Sequence, residues 1–413
     1  MLRALKDPDI WKQFQAYKIA GGHIDKGTEA ELKEIVESRS YVPIVDGILA
    51  GEAFPPPRKS EISKRRSDKK RVVYIYPKTE NWVLKLLTYL LQRNYDGIFA
   101  DNLYSFRPGR SAHDAVRRLT RRRDLREQWC YKADIRNYFN SVPVEKLLPL
   151  LKETLRDEEE VYAFLEVYAF LEGLLTNPYV KSKGDLIRED KGIMAGVPIS
   201  AFLANLYLSH VDHCFREQGT VYVRYSDDII LFCPSKEELD LAIAKLHDFL
   251  AQAGLVMNPD KEIYTPPGGM WTFLGFSYHK GIIDVAPVSV EKLKSKMRRK
   301  ARALIRWRAK KGATGPQAAK AFVRVFHRKL FDNTSEHELS WCLWYFPMIN
   351  TDRSLKVIDH YCQSCIRYIA TGKRNKSAYN FRYEDMKAIG YRSLVNEYYK
   401  EPEESSESPE NPT

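Results

Sequence analysis

Two aspartates, Asp227 and Asp228, interrupt the run VYVRYSDDIILFC, and a third, Asp134, lies at the end of WCYKADI, 93 residues before Asp227. The flanking runs are apolar and β-branched, which predicts strands and, around the pair, a hairpin with Ser226 and Asp227 in its turn. Aspartate by itself is ordinary in turns. Adjacent carboxylates between buried strands are not, because they repel each other and lose solvation unless a cation or a base compensates them. Hard divalent cations such as Mg²⁺ take oxygen ligands from a few protein carboxylates and complete their shell with phosphate oxygens and water. Two strands bringing carboxylates to one point would form such a site. A pair of ions there would support in-line displacement at phosphorus, one activating the attacking oxygen and the other holding the leaving one.

Positioning such a site takes a sizeable fold, and the chain has 413 residues, 44% of them hydrophobic and 29% charged. That composition excludes a largely disordered protein. No stretch has the roughly 20 uninterrupted apolar residues of a membrane span, and MLRALKDPDIWKQ breaks too early with charges for a secretory signal, so a cytoplasmic protein is expected. Six scattered cysteines predict free thiols. The 66 Lys and Arg exceed the 54 Asp and Glu by 12, and five of the acids crowd into the base-free tail EPEESSESPENPT. The remaining excess, gathered in runs and interleaved with aromatics, points to a polyphosphate partner.

Residues 1–55 read as a helical N-terminal extension ending at Pro55-Pro56-Pro57, followed by eight bases in the fourteen residues RKSEISKRRSDKKR. Residues 56–284 alternate strand-like runs (VVYIYP, WCYKADI, VYVRY, IILFC) with helical ones (KLLTYLLQRNY, HDAVRRLTRRR, PISAFLANLYLSHVDHCF), an α+β pattern. VYAFLEVYAFLE, a duplicated six-residue unit, reads as one helix. Residues 285–400 are helical and basic: positions 292–311 hold eleven Lys or Arg while keeping Leu293, Met297, Ala301 and Leu304 at helical spacing. Residues 401–413 form an acidic tail expected to be disordered.

Several ordered motifs resemble those of reverse transcriptases. Tyr225-Ser226-Asp227-Asp228 resembles the family's Tyr-x-Asp-Asp box, and Asp134 with Phe139 five residues on resembles its first catalytic motif. LYSFRPGRSAHDAV (103–116) is similar to the fingers motif of group II intron and related bacterial enzymes. GIMAGVPISAFLANLYL, GLVMNPDKEIYTP and FLGFSY resemble three further segments, in the family's order. The resemblance implies an α+β right-hand polymerase with fingers, a palm of antiparallel sheet and packed helices, and a helical thumb.

It also implies roles. Asp134, Asp227 and Asp228 would hold two Mg²⁺ ions, with Mn²⁺ as a substitute and the Ile135 carbonyl as a further ligand. Phe139 would lie under the incoming sugar and exclude a 2′-hydroxyl. Lys69 and Arg71 would clamp the triphosphate, Asn137, Tyr138 and Gly196 would line the nucleotide pocket, and Lys261 would protonate the departing pyrophosphate. Arg107 and Arg110 would face the template. Lys296, Arg299 and Arg306 of the basic helix would follow the template–primer duplex. Ser111 and Asp114 read as a capping box.

Two departures stand out: Ala195-Gly196 where group II enzymes have Gln-Gly, and Ser200-Ala201 where they have Ser-Pro. His360, Cys362 and Cys365 read as helical residues and not as a zinc site, and the thumb is expected to consume the residues after FLGFSY, leaving none for an RNase H domain. The expected function is a bacterial RNA-directed DNA polymerase copying a structured, dedicated noncoding RNA into cDNA from deoxynucleoside triphosphates, in antiphage defence. The alternatives are a diversity-generating or group II-like enzyme, a template-independent polymerase of the abortive-infection type, and a non-catalytic RNA-binding maturase.

Overall fold

The computed structural model describes residues 1–21, 24–63, 70–156, 161–332 and 340–400. Lys69 and the tail 401–413 lie outside them. The chain forms two units, Met1–Leu274 and Gly275–Thr413.

The first unit opens with α1 (Pro8–Ala20), α2 (Lys26–Ser38) and α3 (Val42–Leu49). Asp7 caps α1 by accepting from the Asp9 N–H, and Pro8 sits in the first turn, where a missing N–H costs nothing. Trp11 stacks on Tyr41 at 4.4 Å and Phe14 meets Trp82 edge-on at 6.2 Å. These helices share the unit's hydrophobic core and are not an appendage. Then follow β1 (Arg58–Ser63), β2 (Lys70–Ile75), α4 (Lys78–Asn94), α5 (Ala112–Arg121), β3 (Trp129–Asp134), the short α6 (Tyr138–Ser141), α7 (Val144–Leu155), α8 (Val161–Thr176), β4 (Tyr179–Ser182) and β5 (Asp185–Arg188). The unit continues through α9 (Ser200–Tyr207), α10 (Ser209–Glu217), β6 (Val221–Tyr225), β7 (Asp228–Cys233), α11 (Lys236–Gln252), β8 (Ile263–Thr265) and β9 (Trp271–Phe273).

Strands β1–β8 make two four-stranded sheets, β2-β1-β4-β5 and β6-β7-β3-β8. The second is antiparallel throughout, and every residue from Ile229 to Cys233 of β7 is buried, so both of its faces are covered. That is why the run reads as continuously apolar. Helix α5 starts at the expected capping box, with Ser111 accepting from the Asp114 N–H and the Asp114 carboxylate accepting from the Ser111 N–H. The single helix expected over 198–215 is instead two, broken at Leu208, where the Ser209 hydroxyl donates to the Leu206 carbonyl at 2.8 Å.

The second unit comprises β10 (Phe276–His279), β11 (Ile282–Val285), α12 (Pro287–Lys311), α13 (Gly315–Leu330), α14 (Trp341–Tyr345), α15 (Arg353–Thr371), α16 (Tyr383–Ala388) and α17 (Leu394–Tyr398). It begins ahead of the boundary expected at residue 285 because β11 is tied to the helices. The Asn350 N–H donates to the Ile283 carbonyl at 3.1 Å, and the Asn350 side-chain oxygen accepts from the Ile283 N–H at 2.8 Å. Leu293, Met297, Ala301 and Leu304 of α12 are buried, against α13 and α15. Close packing at the far end requires Gly315: a Cβ there would lie 1.8 Å from the Ala370 carbonyl oxygen. Cys362 and Cys365 are buried, free thiols of α15. Among the described residues no helix is long and apolar enough to cross a membrane.

Candidate active site

Register brings the carboxylates together. In the β3–β7 ladder Asp134 stands opposite Asp228, and in the β6–β7 ladder Tyr225 stands opposite Asp228, which leaves Ser226 and Asp227 as a two-residue turn. Such a connection needs a positive φ, and Ser226 supplies it at 61°. Ligand oxygens of Asp134, Asp227 and Asp228 lie within 4.8 Å of one another. The Ile135 N–H donates to the Asp227 carbonyl at 3.0 Å, fastening the turn to the end of β3.

A buried network holds the turn in its left-handed conformation. The Ser226 N–H donates to Ser105 Oγ at 2.8 Å, and the Ser105 hydroxyl donates to Asn205 Oδ1 at 3.0 Å. Arg224, two residues before the turn, is fully buried and pairs with equally buried Asp212 through Nε at 2.8 Å and Nη2 at 2.5 Å, while its Nη1 donates to the Ser226 carbonyl at 3.3 Å. Asp212 also accepts from the Tyr222 hydroxyl at 3.1 Å.

The electrostatics calls for positive charge. Burial, then the neighbouring Asp134 and Asp228 carboxylates, push Asp227 up to about 6. Lys261 Nζ lies 2.5 Å from Asp134 Oδ2, and Asn258 donates to Asp134 through both its backbone N–H (2.8 Å) and its side-chain amide (3.4 Å). Three carboxylates, two at strand ends and one in the turn between β6 and β7, form an all-oxygen donor set suited to hard divalent cations of the Mg²⁺ and Mn²⁺ kind.

Asp134 and Asp227 of the triad border a cleft of about 880 Å³. Of the residues expected at the site, Arg71, Asp134, Ile135, Asn137, Phe139 and Lys261 line it together with Asp227. Arg71 is exposed at the start of the β2 edge strand. Asn137, with φ of 50°, turns the chain into α6, and half-buried Phe139 meets Phe106 edge-on at 6.4 Å.

Other expected residues are engaged differently. Tyr138 borders the cleft but its side chain is only 2% exposed, and its hydroxyl donates to the Ala204 carbonyl at 2.5 Å, so the ring props α9 and is not offered to a nucleotide. Gly196, with φ of 96°, abuts β2: a Cβ would lie 3.2 Å from the Tyr74 carbonyl oxygen and 3.3 Å from Val73 Cβ. Its neighbour Ala195 lines the cleft in its place. Arg107 does not face a template. Its buried guanidinium grips Asp96 at 2.8 and 3.0 Å and the Ala100 carbonyl at 2.6 Å, because a buried cation needs every donor matched. Arg110 is half-buried, donating to the Asp101 carbonyl at 2.7 Å. Lys296, Arg299 and Arg306 belong to α12 of the second unit.

Sequence reasoning overlooked several contributors. Asn140 donates to the Val72 carbonyl at 3.3 Å and accepts from the Ala195 N–H at 2.9 Å, tying β2 to the loop before α9. Asn258 stood within a recognised motif without a role. The Arg224–Asp212 pair gave one usable signal, an arginine inside an otherwise apolar strand.

Residues 62–278 match the family described as "Reverse transcriptase (RNA-dependent DNA polymerase)". The chain is 26% identical over 254 residues to the group II intron-encoded protein LtrA of Lactococcus lactis subsp. cremoris, covering 60% of this chain and 40% of LtrA. It is 31% identical over 161 residues to an uncharacterized 91 kDa protein in the cob intron of Schizosaccharomyces pombe, covering 38% of this chain and 18% of that one. The chain thus spans well under half the length of either relative. Among solved structures it is similar to telomerase from Candida tropicalis in complex with a TWJ fragment of telomeric RNA, with a TM-score of 0.45 and 13% identity over 81% of this chain and 64% of that one. Since the family match covers more than half of the 413 residues and contains all three clustered aspartates, the chain belongs to the reverse transcriptase (RNA-dependent DNA polymerase) family.

Proposed function

We propose that the protein is an RNA-directed DNA polymerase, extending a primer with deoxynucleotides on an RNA template, and that Asp134, Asp227 and Asp228 hold two Mg²⁺ ions or Mn²⁺ in their place. The observation that carries this reading is the cross-strand carboxylate triad beside a cleft that also holds Arg71, Phe139 and Lys261. Asp134, Asp227 and Asp228 would hold the cations, whose chemistry would be to lower the pKa of a primer 3′-hydroxyl and to offset charge on the departing pyrophosphate. The Ile135 carbonyl, next to Asp134, is a further oxygen donor. Arg71 offers paired N–H donors to the triphosphate. Phe139 leaves no room for a 2′-hydroxyl. Lys261, once released from Asp134, donates a proton to the pyrophosphate oxygen.

The finer reading is that the template is a structured noncoding RNA copied into cDNA in antiphage defence. Its support is Ala195 and Ala201 at positions where group II enzymes carry Gln and Pro. A group II-like enzyme is the second reading, favoured by the 26% identity to LtrA. Sequencing the RNA that copurifies separates them: one dominant noncoding RNA supports the first, an intron RNA the second, and a heterogeneous mixture neither.

The reaction itself is tested by Asp227→Ala combined with Asp228→Ala. The double variant should fold, bind RNA and fail to extend a primed RNA template. Extension at the wild-type rate would overturn the assignment.

A further inference from the structure

The second unit contains a cavity of about 420 Å³ between α12, the C-terminal half of α15 and residues 373–379. Five cationic side chains line it, Arg298, Arg302, Arg367, Lys373 and Arg374, and among the described residues no acidic one does. Like charges gathered around one concavity repel each other, and an anion relieves the repulsion. The single acid of α15, Asp359, is engaged elsewhere, accepting from the Tyr391 and Ser393 hydroxyls and from the Leu394 and Val395 N–H groups.

Flat surfaces accompany the charge. The Arg367 guanidinium lies 4.5 Å from the centre of the Tyr379 ring, and that of Arg374 lies 4.3 Å from the centre of Tyr368. Arg298 Nε donates to the Tyr361 hydroxyl at 2.9 Å. Nucleic-acid bases stack on tyrosine rings and on guanidinium planes alike, whereas a bare phosphate uses neither face. Beneath them Ala301, Cys365 and Ala378 form a buried floor. The volume falls within the roughly 300–1,000 Å³ of small-molecule sites, room for one nucleotide and not for a helix.

We propose that this cavity binds one nucleoside phosphate, free or as an unpaired nucleotide of an RNA strand, with the base on the tyrosine rings and the phosphate among the arginines. The site lies wholly within the second unit and its occupancy is read without turnover, so it does not depend on the polymerase reading. The test titrates the full chain with an RNA hairpin carrying 2-aminopurine at an unpaired position, with the same RNA in which that position is paired, and with AMP as competitor. The unpaired form should bind about tenfold more tightly than the paired one, as loss of one stacked base and its phosphate contact implies. Arg374→Gln with Tyr379→Ala, both at exposed positions, should abolish that preference, as should Arg367→Gln. Competition by AMP identifies the free nucleotide as a ligand, and a preference that AMP does not disturb identifies the strand. Equal affinity for paired and unpaired RNA that AMP does not lower, or equal weakening of both RNAs by the variants, would overturn the proposal and leave a generic basic face.

Discussion

Asp227 is penalised by its surroundings, raised from an ordinary 3.8 to about 6 by burial and by Asp134 and Asp228. The folded protein therefore holds this proton more tightly than the unfolded chain does, and metal-free stability falls as pH rises from about 4 to about 6. Asp227→Asn removes the charge at constant size. It should stabilise the metal-free protein above pH 6 by at most about 3 kcal/mol, seen as a higher melting temperature, and leave stability unchanged near pH 4. Added Mg²⁺ should stabilise the wild type more than the variant, since only a ligand for the folded state shifts the equilibrium. Identical melting temperatures at pH 8 without metal would show that the three carboxylates do not strain one another. Phe139 is decided at the same scale. Replacement by Val should raise ribonucleotide incorporation relative to deoxynucleotide, and an active variant with unchanged sugar selection would make the ring a packing residue supporting Phe106.

At the scale of elements, the β6–β7 hairpin depends on a charge pair that makes no contact with a nucleotide. Arg224 and Asp212 are both fully buried, and removing one partner leaves the other as an uncompensated buried charge. Arg224→Gln should destabilise the protein by about 3–5 kcal/mol in urea unfolding. It also frees the Ser226 carbonyl, so at temperatures where the variant stays folded extension should slow more than nucleotide affinity falls. A small stability loss would mean that Asp212 is solvated or repartnered. The loop at 192–196 is set in a similar indirect way: the Ser200 hydroxyl donates to the Met194 carbonyl at 2.8 Å, and Tyr74 of β2 donates to the Ala195 carbonyl at 2.8 Å.

Across the whole molecule, the net positive charge lies almost entirely in the second unit, with 26 Lys and Arg against 15 Asp and Glu where the first has 40 against 39, and α12 concentrates it. With Leu293, Met297, Ala301 and Leu304 buried, the bases of α12 occupy its remaining faces. If the second unit serves as the thumb, each Lys or Arg that neutralises a phosphate releases a counterion. Lys296→Gln, Arg299→Gln and Arg306→Gln together should then flatten the log–log salt dependence of hybrid binding by about one unit per lost contact. Hybrids of different sequence should weaken by a similar factor, because a shallow minor groove is read by shape, and the products should shorten. An unchanged slope with full-length products would remove α12 from the nucleic-acid interface.

What the sequence determined by itself was local. Continuous apolar runs marked β3 and β7 because burial on both faces leaves no alternation. Asp227-Asp228 between such runs announced a charge cluster, Ser111 and Asp114 announced a helix start, and the spacing of Leu293, Met297, Ala301 and Leu304 announced the packed face of a basic helix. Each of these signals lies within a few residues of what it positions. Only the tertiary structure decided what depends on partners far along the chain. It turned Arg107 inward onto Asp96, buried the Tyr138 ring beneath Ala204, and set Gly196 against β2 while Ala195 faced the cleft. It also joined Arg224 to Asp212 behind the turn, and the N-terminal helices to the core of the first unit. An arginine reads the same in a sequence whether its fork meets phosphate or a buried carboxylate, because its donors are satisfied by whatever acceptors the folded chain brings within about 3 Å.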